Sequence, residues 1–230
     1  GEIQLPLSDC GVVALDYTGK AGIATSIGHA PQAALADPKA GSVLSIAEAL
    51  TNIVGANLKN GLKSVSLSAN WMWPCRNEGE DAALYSAVKA CSDFACALGI
   101  NIPTGKDSLS MTQKYGDKKV VSPGTVIISA GAEVKDVKKT VSPVVQAKDS
   151  SIYYVDFSND ELKLGGSALS QVLNKVGSDV PTVKSSEYFA KAFEAVQKLV
   201  SKKKLLAMHD ISAGGMITAL LDELMGRTLW

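Results

Sequence analysis

The sequence predicts a chain of mixed helix and strand in two units, the second of them an α/β layer. Three observations carry that expectation. A long helical pattern at residues 37–58 lies among strand patterns, residues 124–134 form the longest strand pattern, and strand-like and helical segments alternate after a break at residues 143–150. At 230 residues, 46% of them apolar, the chain can bury one large core or two small ones. The expected division is residues 1–143 and residues 150–230.

Composition excludes some classes of partner. Lysine plus arginine equals aspartate plus glutamate at 23 each, so no net field draws the chain to nucleic acid or to an anionic membrane. Cys10, Cys75, Cys91 and Cys96 form no CxxC pair and have no histidine at zinc-ligand spacing, and Cys91 and Cys96 are expected as small core residues of a helix. Without a signal sequence or a long apolar run, the chain reads as cytosolic. It has no initiator methionine and stops at Trp230 after a helical pattern, which suggests a piece of something longer.

In the strand pattern from Gly1 onward, residues 11–17 and 23–27 flank a turn at residues 18–20 and are expected to pair as a hairpin, with Asp9 just before the first strand. Along residues 37–58, Val43, Ile46, Ala47, Leu50, Ile53, Val54 and Leu58 make an apolar stripe, and Glu48 and Asn52 stand one turn apart beside it. A carboxylate and an amide pointing the same way are oxygen donors of the kind a hard cation such as Mg2+ takes. Two readings of Glu48 are open. In one, Ser45 and Glu48 form a capping box; in the other, Asp37 caps a helix opened by Pro38, and Glu48 lies well inside it.

Residues 65–69 alternate as a half-buried strand and lead to a loop at residues 70–74, whose tryptophans read as packing anchors. A second helix is expected at residues 82–98, opened by residues 79–81 and closed by Gly99. Residues 100–103 then link to a polar tight loop at residues 104–108. Its glycine permits close backbone approach, and Lys106, Asp107 and Ser108 supply a cation, a base or ligand, and a hydroxyl, although the spacing is not a Walker motif. Residues 109–115 and 118–121 flank the hairpin signal Gly116-Asp117.

The second unit is expected to hold strands at residues 152–157 and 205–209, with helices from Gly165-Gly166 through Val172 and at residues 187–202. The turn at residues 209–215 sits where open α/β sheets place ligands. Asp210 offers a carboxylate and Ser212 a hydroxyl, and Gly214-Gly215 let backbone N–H groups at a helix start face an anion. Taken singly, His209 and Asp210 are turn or capping residues.

In this order, LSDCGV, SIGHAP, AEALTNIVGA, LSANWM, GEDAALYSAVKA, IPTGKDSLSM, SPGTVIISAGAEVKDV and LLAMHDISAGGM resemble the large phosphoribosylformylglycinamidine synthases, in the second half of their synthetase region. The resemblance implies an α+β unit of the aminoimidazole ribonucleotide synthetase type that forms half of a pseudo-symmetric barrel, followed by a truncated α/β unit. It implies Asp9, Glu48, Asn52 and Asp210 as Mg2+ ligands, with Ser8 and Ser212 against an ATP or ADP that is held at an auxiliary position without turnover. Asn70, Gly105, Lys106, Asp107 and Ser108 are implied on the side of the ribonucleotide substrate, with Lys106 standing where relatives often carry asparagine.

The implied reaction converts formylglycinamide ribonucleotide to its amidine with ATP and glutamine-derived ammonia, through an iminophosphate. The first synthetase half and the glutaminase domain lie outside this sequence, so the piece is expected to be inactive alone and to pair as a homodimer. Two other classes compete. One is a different ATP-dependent enzyme of the same fold, of the selenophosphate synthetase or thiamine-monophosphate kinase type; the other is a purely structural nucleotide-binding module.

Overall fold

A computed structural model describes residues 7–146 and 149–228, with side chains through Asp222. The expected strand pattern at residues 1–6 lies outside the described residues. The first strands are β1 (Gly11–Ala14) and β2 (Gly22–Gly28), paired antiparallel as the hairpin signal predicts. Helices α1 (Pro31–Ala36) and α2 (Pro38–Ile53) follow, then β3 (Ser66–Met72), α3 (Glu80–Leu98) and β4 (Asn101–Ser108). The short strands β5 (Thr112–Tyr115) and β6 (Lys118–Val121) form their own hairpin, and β7 (Thr125–Val134) returns through the centre of the main sheet. That sheet has the order β1-β2-β7-β3-β4, antiparallel throughout except for the parallel pair β3 and β4.

Period-two alternation sets one face of the sheet inward. Val126, Ile128, Ala130, Ala132 and Val134 of β7 and Leu67, Ala69 and Trp71 of β3 are buried in one core with Ile46, Leu50 and Ile53 of α2. The inward positions of β2 are small, and α2 lies close because of it. A Cβ on Gly28 would fall 2.2 Å from the Ser45 carbonyl oxygen, and Ser26 Oγ donates to the Ala49 carbonyl at 2.6 Å.

The start of α2 is decided by local chemistry. Asp37 accepts from the N–H groups of Lys39 and Ala40, Pro38 fills the first turn, and Ser45 is interior, with its hydroxyl on the Gly41 carbonyl. The capping-box reading falls, because Glu48 sits well inside the helix. The helix stops at Ile53 rather than running to Leu58. Gln197, far along the chain, donates to the Val54 and Ala56 carbonyls at 2.7 and 2.8 Å and accepts from Leu58 N–H at 3.1 Å, replacing the hydrogen bonds a longer helix would have made.

Other expectations also change. Residues 70–72 belong to β3 and residues 101–108 to β4; neither stretch is a loop. Trp71 and Trp73 are buried packing residues as expected. Cys91 is buried, but Cys96, about 140° round α3 from it, is exposed. Gly79 and Gly99 bound α3 in left-handed conformations.

The later residues hold α4 (Ala168–Val172), α5 (Ser186–Ser201) and α6 (Gly215–Thr228). Neither residues 152–157 nor residues 205–209 form a strand, since neither finds a neighbour with which to build a ladder; among the described residues there is no second layered sheet. Phe189, Phe193, Val196 and Val200 of α5 enter the same core as α2 and α3, with Phe189 meeting Phe94 edge-on at 5.8 Å. No helix among the described residues is long and apolar enough to cross a membrane.

Candidate functional site

Three distant parts of the chain meet in one acidic cluster. Asp9 lies just ahead of β1, Glu48 is on α2, and His209, Asp210 and Ser212 lie in the coil that leads into α6. The Asp210 N–H donates to Asp9 Oδ2 at 3.3 Å. Ser212 Oγ lies 3.2 Å from both Glu48 Oε1 and Asp210 Oδ2, so one hydroxyl joins two carboxylates. His209 Nδ1 is 2.9 Å from Asp9 Oδ1 and 3.6 Å from Asp210 Oδ1, with side-chain exposures of only 13%, 8% and 4% for His209, Asp9 and Asp210. The ring N–H is not in line with either oxygen, so His209 meets the two carboxylates through bent, charge-assisted contacts.

The electrostatics follow from gathering like charges away from water. Burial, with a smaller push from Asp210, raises the Glu48 carboxyl from 4.5 to about 7, and the Ser212 hydrogen bond only partly offsets this. Burial also raises Asp9, against the opposing effect of His209. Asp210 and Asp9 together hold the imidazole of His209 up at about 10. The Cys10 thiol is pushed up to about 11 by burial and by Asp9, which makes it a poor nucleophile at neutral pH.

Of the residues singled out in the sequence, Asp9, Glu48, Asp210 and Ser212 converge. Asn52 stands one turn beyond Glu48, and its Nδ2 donates to the Ile27 carbonyl at 2.9 Å, tying α2 to β2. Ser8 is exposed beside Asp9. His209, read from sequence as a turn residue, is a member of the cluster; its position next to Asp210 was the available signal. One ligand atom from each of Asp9, His209 and Asp210 lies within 4.8 Å of the others.

A second group lies on the opposite face of the sheet from α2 and α3. The register pairs Asn70 with Lys106 and Met72 with Ser108, so Asn70, Lys106 and Ser108 share the outward face, and the Lys106 ammonium contacts Ser108 Oγ. Gly105 and Asp107 pair with Ala69 and Trp71 and lie on the helix side. The stretch read as one loop is therefore an edge strand whose residues serve two faces. Asn70 Oδ1 is buried without a partner.

Fold and comparison together define the class: the chain has the fold of the PurL proteins. It superposes on Thermotoga maritima PurL complexed with FGAR at TM-score 0.67 and 14% identity, over 96% of this chain and 34% of that one. The PurLQS structure from Thermotoga maritima gives TM-score 0.60 at 13% identity, over 93% and 31%. The chain belongs to the FGAR-AT PurM_N-like domain family, whose model matches residues 1–133. It is 40% identical over 224 residues to phosphoribosylformylglycinamidine synthase of Homo sapiens, and 39% identical to the probable chloroplastic/mitochondrial phosphoribosylformylglycinamidine synthase of Arabidopsis thaliana. These matches take in 96% of this chain but 17% and 16% of the relatives, so the chain spans about a sixth of their length.

Proposed function

We propose that the chain is a segment of a phosphoribosylformylglycinamidine synthase and that its acidic cluster holds Mg2+ and an adenine nucleotide. The observation supporting this is convergence: Ser212 joins Glu48 to Asp210 across 164 residues of sequence from Glu48, and Asp210 meets Asp9 across 201. The donors fit the ion, because carboxylate oxygens are what Mg2+ takes, and the carboxyls of Asp9 and Glu48 are raised by burial with a smaller push from Asp210, a penalty on their charged forms that a divalent cation would relieve. When bound, Mg2+ would neutralise phosphate charge. Asp9, Glu48 and Asp210 would hold it, Asn52 would offer its side-chain oxygen, and Ser8 and Ser212 would face the nucleotide. The position is an auxiliary one that retains nucleotide without turnover.

On the same reading, the outward face with Asn70, Lys106 and Ser108 belongs to the side of the ribonucleotide substrate, Lys106 pairing a phosphate or carboxylate, with Gly105 and Asp107 shaping the strand behind it. The neighbouring exposed Ile23 and Ile27 are apolar surface for a pseudo-symmetric half, or for a second copy of this chain when that half is absent. The whole enzyme would form the amidine in the cytoplasm using ATP and ammonia from a glutaminase domain, with residues 1–143 and 150–230 as its two units here. The test is calorimetric titration of ADP into the chain with and without Mg2+. Saturable binding that requires Mg2+ and is lost in Asp210→Asn supports the proposal; binding indifferent to both refutes it.

A further inference from the structure

Lysines from two distant parts of the chain meet at the C-terminal end of α5. Lys139 Nζ donates to the Ser201 carbonyl at 2.9 Å, and Lys202, Lys203 and Lys204 follow directly on the helix. A lysine at a helix C-terminus ordinarily serves the last carbonyls and the dipole. Here the carbonyls are already taken. The Lys198 carbonyl accepts from Lys202 N–H, that of Leu199 from Lys204 N–H and that of Val200 from Lys203 N–H, while Lys139 holds the fourth. The ammonium groups of residues 202–204 are therefore spare: the residues are exposed, and none of the three makes an ion pair among the described residues. Lys203 moreover sits at φ 53°, a left-handed position that favours glycine or asparagine. Beside them, the solvent side of α5 carries an open apolar groove lined by Ala190, Ala195 and Leu199 and bordered by Lys198.

We propose that residues 202–204 and the α5 groove form a docking surface for an acidic face of another domain of the same long polypeptide. The inference rests on the reading of the chain as a segment of a synthase and adds a contact to it. Uncompensated positive charge selects a carboxylate-bearing surface, and the groove gives that surface an apolar seat. The chain spans about a sixth of its relatives' length, so most of such a polypeptide lies outside these residues. A patch this small suits a tethered domain, because a covalent link raises the effective concentration without any further contact, and interfaces between domains are more polar than obligate ones. Neither arginine nor an aromatic ring stands among these residues, which disfavours nucleic acid held by bidentate pairing or stacking.

The experiment is zero-length carbodiimide cross-linking of the full-length synthase, as an equal mixture of 15N-labelled and unlabelled protein, read by mass spectrometry. It needs neither Mg2+ nor nucleotide. The expected result is amide links from Lys202, Lys203 or Lys204 to aspartate or glutamate beyond the 230 residues, each link within a single isotopic population. The links should be lost in about 1 M salt, where the screening length falls to about 3 Å. Combining Lys202→Gln, Lys203→Gln and Lys204→Gln leaves α5 closed, because backbone groups and Lys139 hold its end. Hydrogen exchange at the linked acidic stretch should then quicken, while that of α5 stays as it was. Links confined to the 230 residues, links between labelled and unlabelled molecules, or no links at all overturn the inference, as does exchange unaltered by the three substitutions. Mg2+-dependent ADP binding without these links would sink this inference alone. Links within one polypeptide without any ADP binding would sink the nucleotide reading and leave this one standing.

Discussion

Replacing Glu48 by glutamine removes one negative charge from the cluster while leaving Ser212 an oxygen to meet. In the parent, the carboxyl titrates at about 7 rather than 4.5 because it is buried near Asp210. A proton therefore binds more tightly in the folded state than in the unfolded one, and the fold loses stability as pH rises from 4.5 through 7. At about 1.4 kcal/mol for each tenfold, that interval is worth about 3 kcal/mol. Solvent access to the half-buried side chain reduces it to about 2 kcal/mol. In EDTA, Glu48→Gln should match the parent at pH 5 and exceed it by about 2 kcal/mol at pH 8. His209, raised to about 10, contributes stability that is full below 6.5 and is lost toward 10; it does so in both proteins, so the difference between them isolates Glu48. Saturating Mg2+ and ADP should reverse the order, since a ligand at a hundredfold its Kd stabilises the folded state by about 2.7 kcal/mol and the variant lacks a donor. Urea unfolding followed by the fluorescence of the buried Trp71 and Trp73 measures both effects. Parallel stability curves in EDTA up to pH 8 would refute the electrostatic argument, and an unreversed order with Mg2+ and ADP would refute the ligand role.

Gln197→Ala leaves two carbonyls and one N–H without partners where α2 ends, and urea unfolding should register a loss of about 3 kcal/mol with the amphipathic α5 loosened. At Asp160, burial opposes ionisation, but Lys184, the N–H groups of Glu161 and Thr182, and Lys163 outweigh it and hold the carboxyl well below the usual range. Its contribution is therefore present above about pH 4 and lost as pH falls through the folded value. Asp160→Asn should cost about 3 kcal/mol at pH 7, and the deficit should close under acid. In the full-length synthase, Ser108→Ala should weaken substrate use while shifting stability by less than about 0.5 kcal/mol, checked by paired kinetics and melting; unaltered kinetics would return Ser108 to a plain edge-strand residue.

What could be read from the sequence was what is decided locally. Asp37-Pro38 starts α2, Gly79 and Gly99 bound α3, and Gly116-Asp117 turns β5 into β6, each through chemistry carried by adjacent residues. What could not be read depends on partners far away in the chain. The end of α2 is set by Gln197, and residues 152–157 and 205–209 look like strands but join no ladder, the backbone bond from Met208 N–H to the Ser142 carbonyl being too isolated to make one. The polar residues of β4 read as a loop because the strand is an exposed edge, where no buried face imposes alternation. In the site, Glu48 and Asn52 were legible as helical neighbours, and Asp9 and Asp210 as carboxylates at the ends of elements. The place of His209 was not legible, because a ring beside an aspartate is a common turn feature until Asp9 is brought against it from the other end of the chain.

The most direct test of the central claim is an anomalous-scattering crystal structure of the chain grown with Mn2+ and ADP. The account predicts a manganese peak among the carboxylates of Asp9, Glu48 and Asp210, with the nucleotide phosphates on its open side. A peak confined to other residues, or none at saturating Mn2+ and ADP, would contradict it.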